Sequence, residues 1–365
     1  MIFYICKRLF WMIPTFLGIT FITFFVMQMA PNNEAQMQLL LAGKGVPVES
    51  LKQLEKIESQ IHIPIAIEGF VRKVALQFDP LVVNLQQTKT YRTFNFIFKS
   101  SQDYLAWLKN LCRFDFGYSS KDYRPVGEKI AECLPVTLLL NILSLLFIYA
   151  VSLPLGVWMA VHQGERLERW IVLKLFLMFS LPAFWLASLM LVYFAGGDYL
   201  NWFPLGGLYS NGFDAMHLWQ KICDVGWHLV LPILVMSFAS IAFMTRFTQE
   251  NMMAVLQKAF VRTAEAKGLK KGQVLTRHAL RNAILPFVTL FGTLLPGLLG
   301  GSVIVEQIFA IPGMGALSFG AVMSRDYNVI MTITAFSAIL TLISLLLQDI
   351  LYAVLDPRIG FTEES

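Results

Sequence analysis

The chain has 365 residues, 56% of them apolar and only 15% charged, with a mean hydropathy of +0.60 and a formal net charge of +5. A soluble domain of this size carries nearer about a quarter charged residues, and the apolar excess falls in clustered runs too numerous for one soluble core, which points to the bilayer as solvent. The short-loop basic residues sit on one side of those runs, so the positive balance reads as a topology signal rather than as a nucleic-acid footprint.

The first run, Leu9–Ala30, has no Asp, Glu, Lys or Arg and is long enough to cross the roughly 30 Å of hydrocarbon in a bilayer. Lys7 and Arg8 precede it as in a signal peptide. The run is longer than a usual signal core, and Met27-Gln28-Met29-Ala30 offers no small-residue cleavage site, so it reads as an uncleaved anchor helix. Pro31–Cys133 follows as the longest stretch between spans. Within it Val48, Leu51, Leu54, Ile57 and Ile61 predict one amphipathic helix, and Tyr104, Leu105, Leu108 and Leu111 predict another. This segment reads as a small, mainly helical extracytoplasmic subdomain.

Five further spans are predicted: Leu134–Val161, Ile171–Gly197 (with only Lys174), Trp227–Thr245, Ala283–Val305 and Asn328–Gln348. Lys7, Arg8, Arg166, Arg169, Arg358 and eight more Lys or Arg between Arg246 and Arg281 lie on one set of faces. The opposite short loops hold Lys221 and Arg325, and thirteen against two places both termini in the cytoplasm. The thirteen basic residues of Pro31–Cys133 do not count, because loops of that length cross regardless of charge. Proline and glycine interrupt the spans at Pro154 with Gly156, at Pro182, at Pro232, and at Pro296, Gly297, Gly300 and Gly301. The last four form the candidate hinge for alternating access.

Between spans four and five, Arg246–Asn282 is too long and too patterned for a plain connector. Met252, Leu256 and Phe260, with Met253 and Ala264 beside them, recur at helical spacing, and Gly268 stands where a left-handed residue ends a helix. A second short helix is predicted over Gln273–Asn282. The pattern alone leaves two readings open: a helix that docks in a groove of another protein, or a basic helix lying on anionic lipid.

Chemistry is absent. No G-x-x-x-x-G-K-[ST] phosphate loop and no H-E-x-x-H pair occur, the five histidines are scattered, and Ser302 in Gly300-Gly301-Ser302 has no identifiable base. Cys6, Cys112, Cys133 and Cys223 form no C-x-x-C; a disulfide among the last three is permitted by their compartment but not specified by their spacing. No metal site is expected. Glu306 and Asp349, at or near span ends, read as solvated boundary residues, which leaves the deep membrane almost empty of ionisable groups. That shortage disfavours the alternative of an ion-coupled secondary transporter. The energy for transport is expected from a partner.

The stretch Arg262-Thr263-Ala264-Glu265-Ala266-Lys267-Gly268-Leu269, followed by His278-Ala279-Leu280-Arg281-Asn282-Ala283-Ile284-Leu285-Pro286, resembles the coupling loop of ABC importer permeases of the dipeptide/oligopeptide branch, first-permease type. Arg113-Phe114-Asp115-Phe116-Gly117, Leu134-Pro135-Val136-Thr137-Leu138, Ile311-Pro312-Gly313-Met314-Gly315, Ser324-Arg325-Asp326-Tyr327 and Asp356-Pro357-Arg358-Ile359 agree in order and spacing. The long first outer segment, and Phe194-Ala195-Gly196-Gly197 with Phe203-Pro204-Leu205, are most similar to the microcin C/peptide importer subgroup. The likeness covers nearly the whole chain and is weakest over residues 31–110. It departs at the general importer signature: with Gly268 aligned and Ala264 retained, Arg262 and Thr263 stand where Glu and Ala are usual.

The resemblance implies an all-α type I importer permease fold with six transmembrane helices. Its parts would be an N-terminal helix (1–30), the extracytoplasmic subdomain (31–133), a five-helix core (134–356) with the coupling loop 246–282, and a cytoplasmic tail (357–365). It further implies a second homologous permease, cytoplasmic ATPase subunits that carry ATP and Mg, an extracytoplasmic substrate-binding protein, a peptide or peptide-like cargo, and a bacterial inner membrane location. No cofactor is expected on this chain, and no substrate-contacting residue is nominated.

Overall fold

The computed structural model describes residues 2–29, 101–196, 199–284, 286, 287, 297 and 301–355. The described residues are helical apart from turns, irregular connections and one isolated bridge between Tyr118 and Pro125. The chain divides into two compact units, Phe21–Asp115 and Met1–Thr20 with Phe116–Ser365.

The smaller unit contains the last third of helix α1 (Ile2–Met29) and helix α2 (residues 101–111). Tyr104 is buried, with its ring edge-on to Phe21 and Phe24 at 5.3 and 5.7 Å and stacked near Trp107 at 5.9 Å. Such ring pairs add to the burial of their area. The expected helix at Tyr104–Leu111 is therefore present, and the one predicted around Val48–Ile61 lies outside the described residues.

The larger unit is built on two long helices, α3 (Val126–Val161) and the later α6 (Leu218–Leu256). Small and hydroxylated residues line their contact: Ser144, Ser152, Ser237, Thr245 and Thr248 are all buried. Such residues let transmembrane backbones approach closely. The hydroxyls of Ser152 and Thr248 donate back to the carbonyls of Ile148 and Met244, so they enter this contact without stranded donors. Gly156 is a point of close approach; a Cβ there would lie 2.5 Å from Thr248 Cβ.

The predicted span Ile171–Gly197, which Pro182 interrupts, is two helices, α4 (Arg166–Ser180) and α5 (Ala183–Phe194), that meet at a bend of 96°. The cause is local. A proline disfavours the helical region for the residue before it, and Leu181 accordingly turns to φ −82°, ψ 126° ahead of Pro182. Beyond α6 come α7 (Ala259–Ala266) and α8, which runs from Lys271–Gln273 through a π-helical Val274–Leu280 into Arg281–Ala283. Short helices α9 (Val303–Ile308) and α10 (Met314–Ser324) lead into α11 (Tyr327–Leu355).

Among the described residues, four helices are long and apolar enough to cross a membrane singly: α1, α3, α6 and α11. The bent pair α4/α5 adds a fifth if it is one span. Most of the predicted span Ala283–Val305 lies outside the described residues. The spanning helices turn apolar side chains outward, among them Phe10, Trp11, Ile22, Leu146 and, on α4, Trp170, Phe176 and Phe179. Apolar surface of that extent belongs in hydrocarbon rather than water. Arg8 pairs with Asp349 at 3.0 Å, tying the start of α1 to α11, so Asp349 is an ion-pair partner rather than a lone boundary residue. Cys112, Cys133 and Cys223 are free thiols.

Candidate functional site

The segment between α6 and α8 forms a small structure of its own. The sequence pattern reads as one helical run from Met252 to Ala264, but the chain turns after Leu256. Gln257 ends α6, Lys258 is extended at ψ 147°, and α7 starts at Ala259. The turn is closed on either side by backbone bonds, Lys258 N–H to the Val255 carbonyl at 3.0 Å and Val261 N–H to the Lys258 carbonyl at 3.1 Å. The turn lets α7 lay its apolar stripe across the ends of its neighbours. Val261 and Ala264 from α7, Met252 and Val255 from α6, Val274, Ala279 and Ala283 from α8, and Ala160 from α3 make one buried cluster. Burying a valine such as Val261 is worth about 1.5–3 kcal/mol, enough to hold an eight-residue helix that would not persist alone.

The end of α7 is a complete Schellman motif. Gly268 N–H donates to the Glu265 carbonyl at 2.9 Å and Leu269 N–H to the Ala264 carbonyl at 3.4 Å. Gly268 sits at φ +79°, a conformation that costs other residues backbone strain, while the space around it is open. The glycine is therefore there for its backbone and not to avoid a clash within this chain.

Of the eight residues singled out in the sequence, Arg262, Thr263, Glu265, Ala266, Lys267, Gly268 and Leu269 are exposed together. Ala264 differs from the other seven: only 6% exposed, it faces the chain's own cluster and supports the loop from beneath. Phe260 and Leu269 remain partly open beside the charges, so the outer face is mixed apolar and basic. Such a face suits a groove lined by apolar and acidic groups.

Three buried polar clusters escaped the sequence reading. Beneath the loop, Glu168 of α4 is 6% exposed and accepts from Gln249 Nε2 at 2.9 Å and from the Gly164 N–H at 3.4 Å. Arg246 donates in turn to Gln249 Oε1 at 2.7 Å. Near the start of α3, Glu306 is fully buried, which corrects its reading as a solvated boundary residue. Its carboxylate accepts from the Ser302 and Ala316 N–H groups at 3.2 and 2.9 Å and from the Thr137 hydroxyl at 3.3 Å. A carboxylate at the first turn of α10 satisfies donors that the helix cannot satisfy itself. It fits because Gly301, Gly313 and Gly315 surround it; a Cβ on either of the first two would collide with the carboxylate, and on Gly315 it would come within 2.9 Å. The signal was present as three glycines around one acidic residue, yet periodicity does not register it.

The third cluster is on Asp326, which is 1% exposed. It accepts from the Ser119 hydroxyl and from Ser120 N–H at 3.2 Å, and its carbonyl starts α11 by accepting from Ile330 N–H at 3.0 Å. Lys129 bridges Ser119 and Asp122 at 3.1 and 2.8 Å, and its bond to Asp122 holds that carboxyl down to about 2. Of the four hinge candidates, Pro296 and Gly300 lie outside the described residues. Gly297 is helical and exposed, and Gly301 adopts φ +66° against Glu306. Among the described residues no group of His, Cys, Asp and Glu is arranged to hold a metal.

Residues 152–361 match the protein family described as binding-protein-dependent transport system inner membrane component. The chain is 36% identical, over 98% of its length and 99% of the relative's, to the oligopeptide transport system permease protein AppB of Bacillus subtilis (strain 168). It is 33% identical to the peptidoglycan transport system permease protein YejB of Agrobacterium fabrum (strain C58 / ATCC 33970), with 98% of each chain covered. It is also 33% identical to the inner membrane ABC transporter permease protein YejB of Escherichia coli O157:H7, again with 98% of each covered.

Proposed function

The chain belongs to the binding-protein-dependent inner membrane transport components and is a non-catalytic permease subunit of an ABC importer, and from that premise we propose that it carries peptides or peptide-like compounds through a pore it shares with a second permease. The cargo class follows the relatives, whose names assign them oligopeptide, peptidoglycan and peptide transport. Oligopeptides and microcin C-like compounds both fall within it. In this reading six helices cross the bacterial inner membrane with both termini in the cytoplasm. A second homologous permease completes the pore, a substrate-binding protein delivers cargo from outside, and cytoplasmic ATPase subunits hold ATP and Mg.

The observation that carries the reading is the construction of the loop 246–282. Its exposed face, from Arg262 to Leu269, is backed by a packed cluster that joins α7 to the ends of α3, α6 and α8. A load applied to α7 is thus passed to three helices at once rather than absorbed by a slack connector. Packed interfaces switch between discrete arrangements instead of deforming smoothly. Closure of the ATPases around nucleotide would select the permease arrangement that fits the closed state.

The test uses the assembled importer with single cysteines at Glu265 and at Lys267. A bifunctional thiol reagent is expected to join either position to the ATPase, with a yield that changes when nucleotide is added. Labelling of the same cysteines by an impermeant reagent in intact cells, with no cross-link to the ATPase, would overturn the assignment and the topology with it.

A further inference from the structure

Between α4 and α6 lies an apolar groove of about 250 Å³, lined by Leu175, Phe176, Phe179, Ala242 and Phe243 and closed at one end by Arg246 and Glu250. Its floor is buried, with Leu175 and Ala242 only 4% and 3% exposed, while the three phenylalanine rings stand open as its walls. Ala242, Arg246 and Glu250 follow at steps of four along α6, so the groove runs lengthwise from an apolar end to a charged one. The uncharged stretch of α6 ends at Thr245, which puts Arg246 at the depth where hydrocarbon gives way to headgroups.

The charged end is prepared rather than incidental. Glu168 holds Gln249, Gln249 holds one arm of the Arg246 guanidinium, and the other arm lies 3.5 Å from Glu250. A guanidinium has five donors, so donors remain for a further anion. A cation and an anion side by side, at the mouth of an apolar groove at headgroup depth, are complementary to a zwitterion with a hydrocarbon tail.

We propose that the groove binds one zwitterionic aminophospholipid, with an acyl chain along Ala242 between the phenylalanines, the phosphate on Arg246 and the ammonium on Glu250. Because Gln249 and Glu168 join this mouth to the base of the loop 246–282, the lipid would brace the helix that bears the loop. An anionic lipid fits less well, since its head would face the Glu250 carboxylate without an ammonium to meet it.

The test is to purify the assembled importer in detergent, wash it, and measure the retained phosphatidylethanolamine and phosphatidylglycerol by mass spectrometry. The native complex is expected to keep close to one phosphatidylethanolamine per copy of this chain. Arg246→Gln should lower that retention roughly tenfold or more, the equilibrium equivalent of one charge-assisted hydrogen bond. Glu250→Lys should move the preference to phosphatidylglycerol, a reversal that simple loss of packing cannot produce. A photo-crosslinking side chain at Phe243 in the native complex should label lipid. Equal retention in all variants, an unchanged preference in Glu250→Lys, or crosslinking from position 243 to the second permease would each overturn the proposal, the last by making the groove a subunit interface.

Discussion

Replacing Gly156 by alanine adds one methyl group where α3 crosses α6, and the structure fixes what that methyl meets. It would lie 2.5 Å from Thr248 Cβ, 2.7 Å from the Thr245 carbonyl oxygen and 2.8 Å from Thr248 Cγ2. Carbon atoms at rest sit roughly 3.5–4.0 Å apart, so the helices must separate by about 1 Å. Neither side can yield cheaply: the carbonyl belongs to a helical backbone, and Thr248 is buried with its hydroxyl bonded to Met244. Overpacking of this kind costs about 1–3 kcal/mol. The better helix propensity of alanine returns up to about 1 kcal/mol. A net loss of up to about 2 kcal/mol is expected for Gly156→Ala, and a larger one for Gly156→Leu. Gly226, also in α6, is the control, because a Cβ there meets nothing within 4 Å. Gly226→Ala should therefore be neutral or slightly stabilising. The assay is thermal unfolding of the purified chain in detergent, followed by the loss of its helical circular dichroism signal. If Gly156→Ala melts at the same temperature as Gly226→Ala, the close approach of α3 and α6 is wrong.

Gly268→Val forces a branched side chain into a left-handed conformation at a cost of about 1–2 kcal/mol, with no clash in this chain. The variant should insert and fold yet lose ATP-driven uptake; uptake at the native rate would refute the docking role of the loop. For Glu306, substitution by glutamine sets an amide N–H₂ against backbone donors in a fully buried site, so a loss of about 1–3 kcal/mol is expected from thermal unfolding. A melting temperature unchanged in Glu306→Gln would refute the clasp. Asp122 titrates at about 2 rather than its usual 3.8, so its contact with Lys129 stabilises the fold above the ordinary value and is lost as pH falls through the lowered one. The difference in melting temperature between the native chain and Asp122→Asn should therefore stay constant from neutral pH down to the ordinary carboxylate range. A difference that vanished already by mildly acidic pH would contradict it.

What the sequence by itself determined is whatever depends on solvent or on near neighbours. Hydrocarbon penalises every charge, so uncharged windows marked α1, α3, α6 and α11 without knowledge of their partners. A helix end depends on residues a few positions apart, so Gly268 was legible as the close of α7, and Pro182 as a break in the third span. The tertiary structure alone decided the features whose two halves are remote in the chain. Thr137 and Glu306 are 169 positions apart, and Ser119 and Asp326 are 207 apart. No periodicity links such pairs, so Glu306 looked like a solvated end residue until three glycines and three donors were seen around it. Ala264 is the same case in miniature: helical spacing marked it as apolar, but only the crossing of α7 over α3, α6 and α8 turned it inward. Gly156 reads in sequence as one more glycine in a transmembrane helix, and becomes a contact only when Thr248 is brought against it.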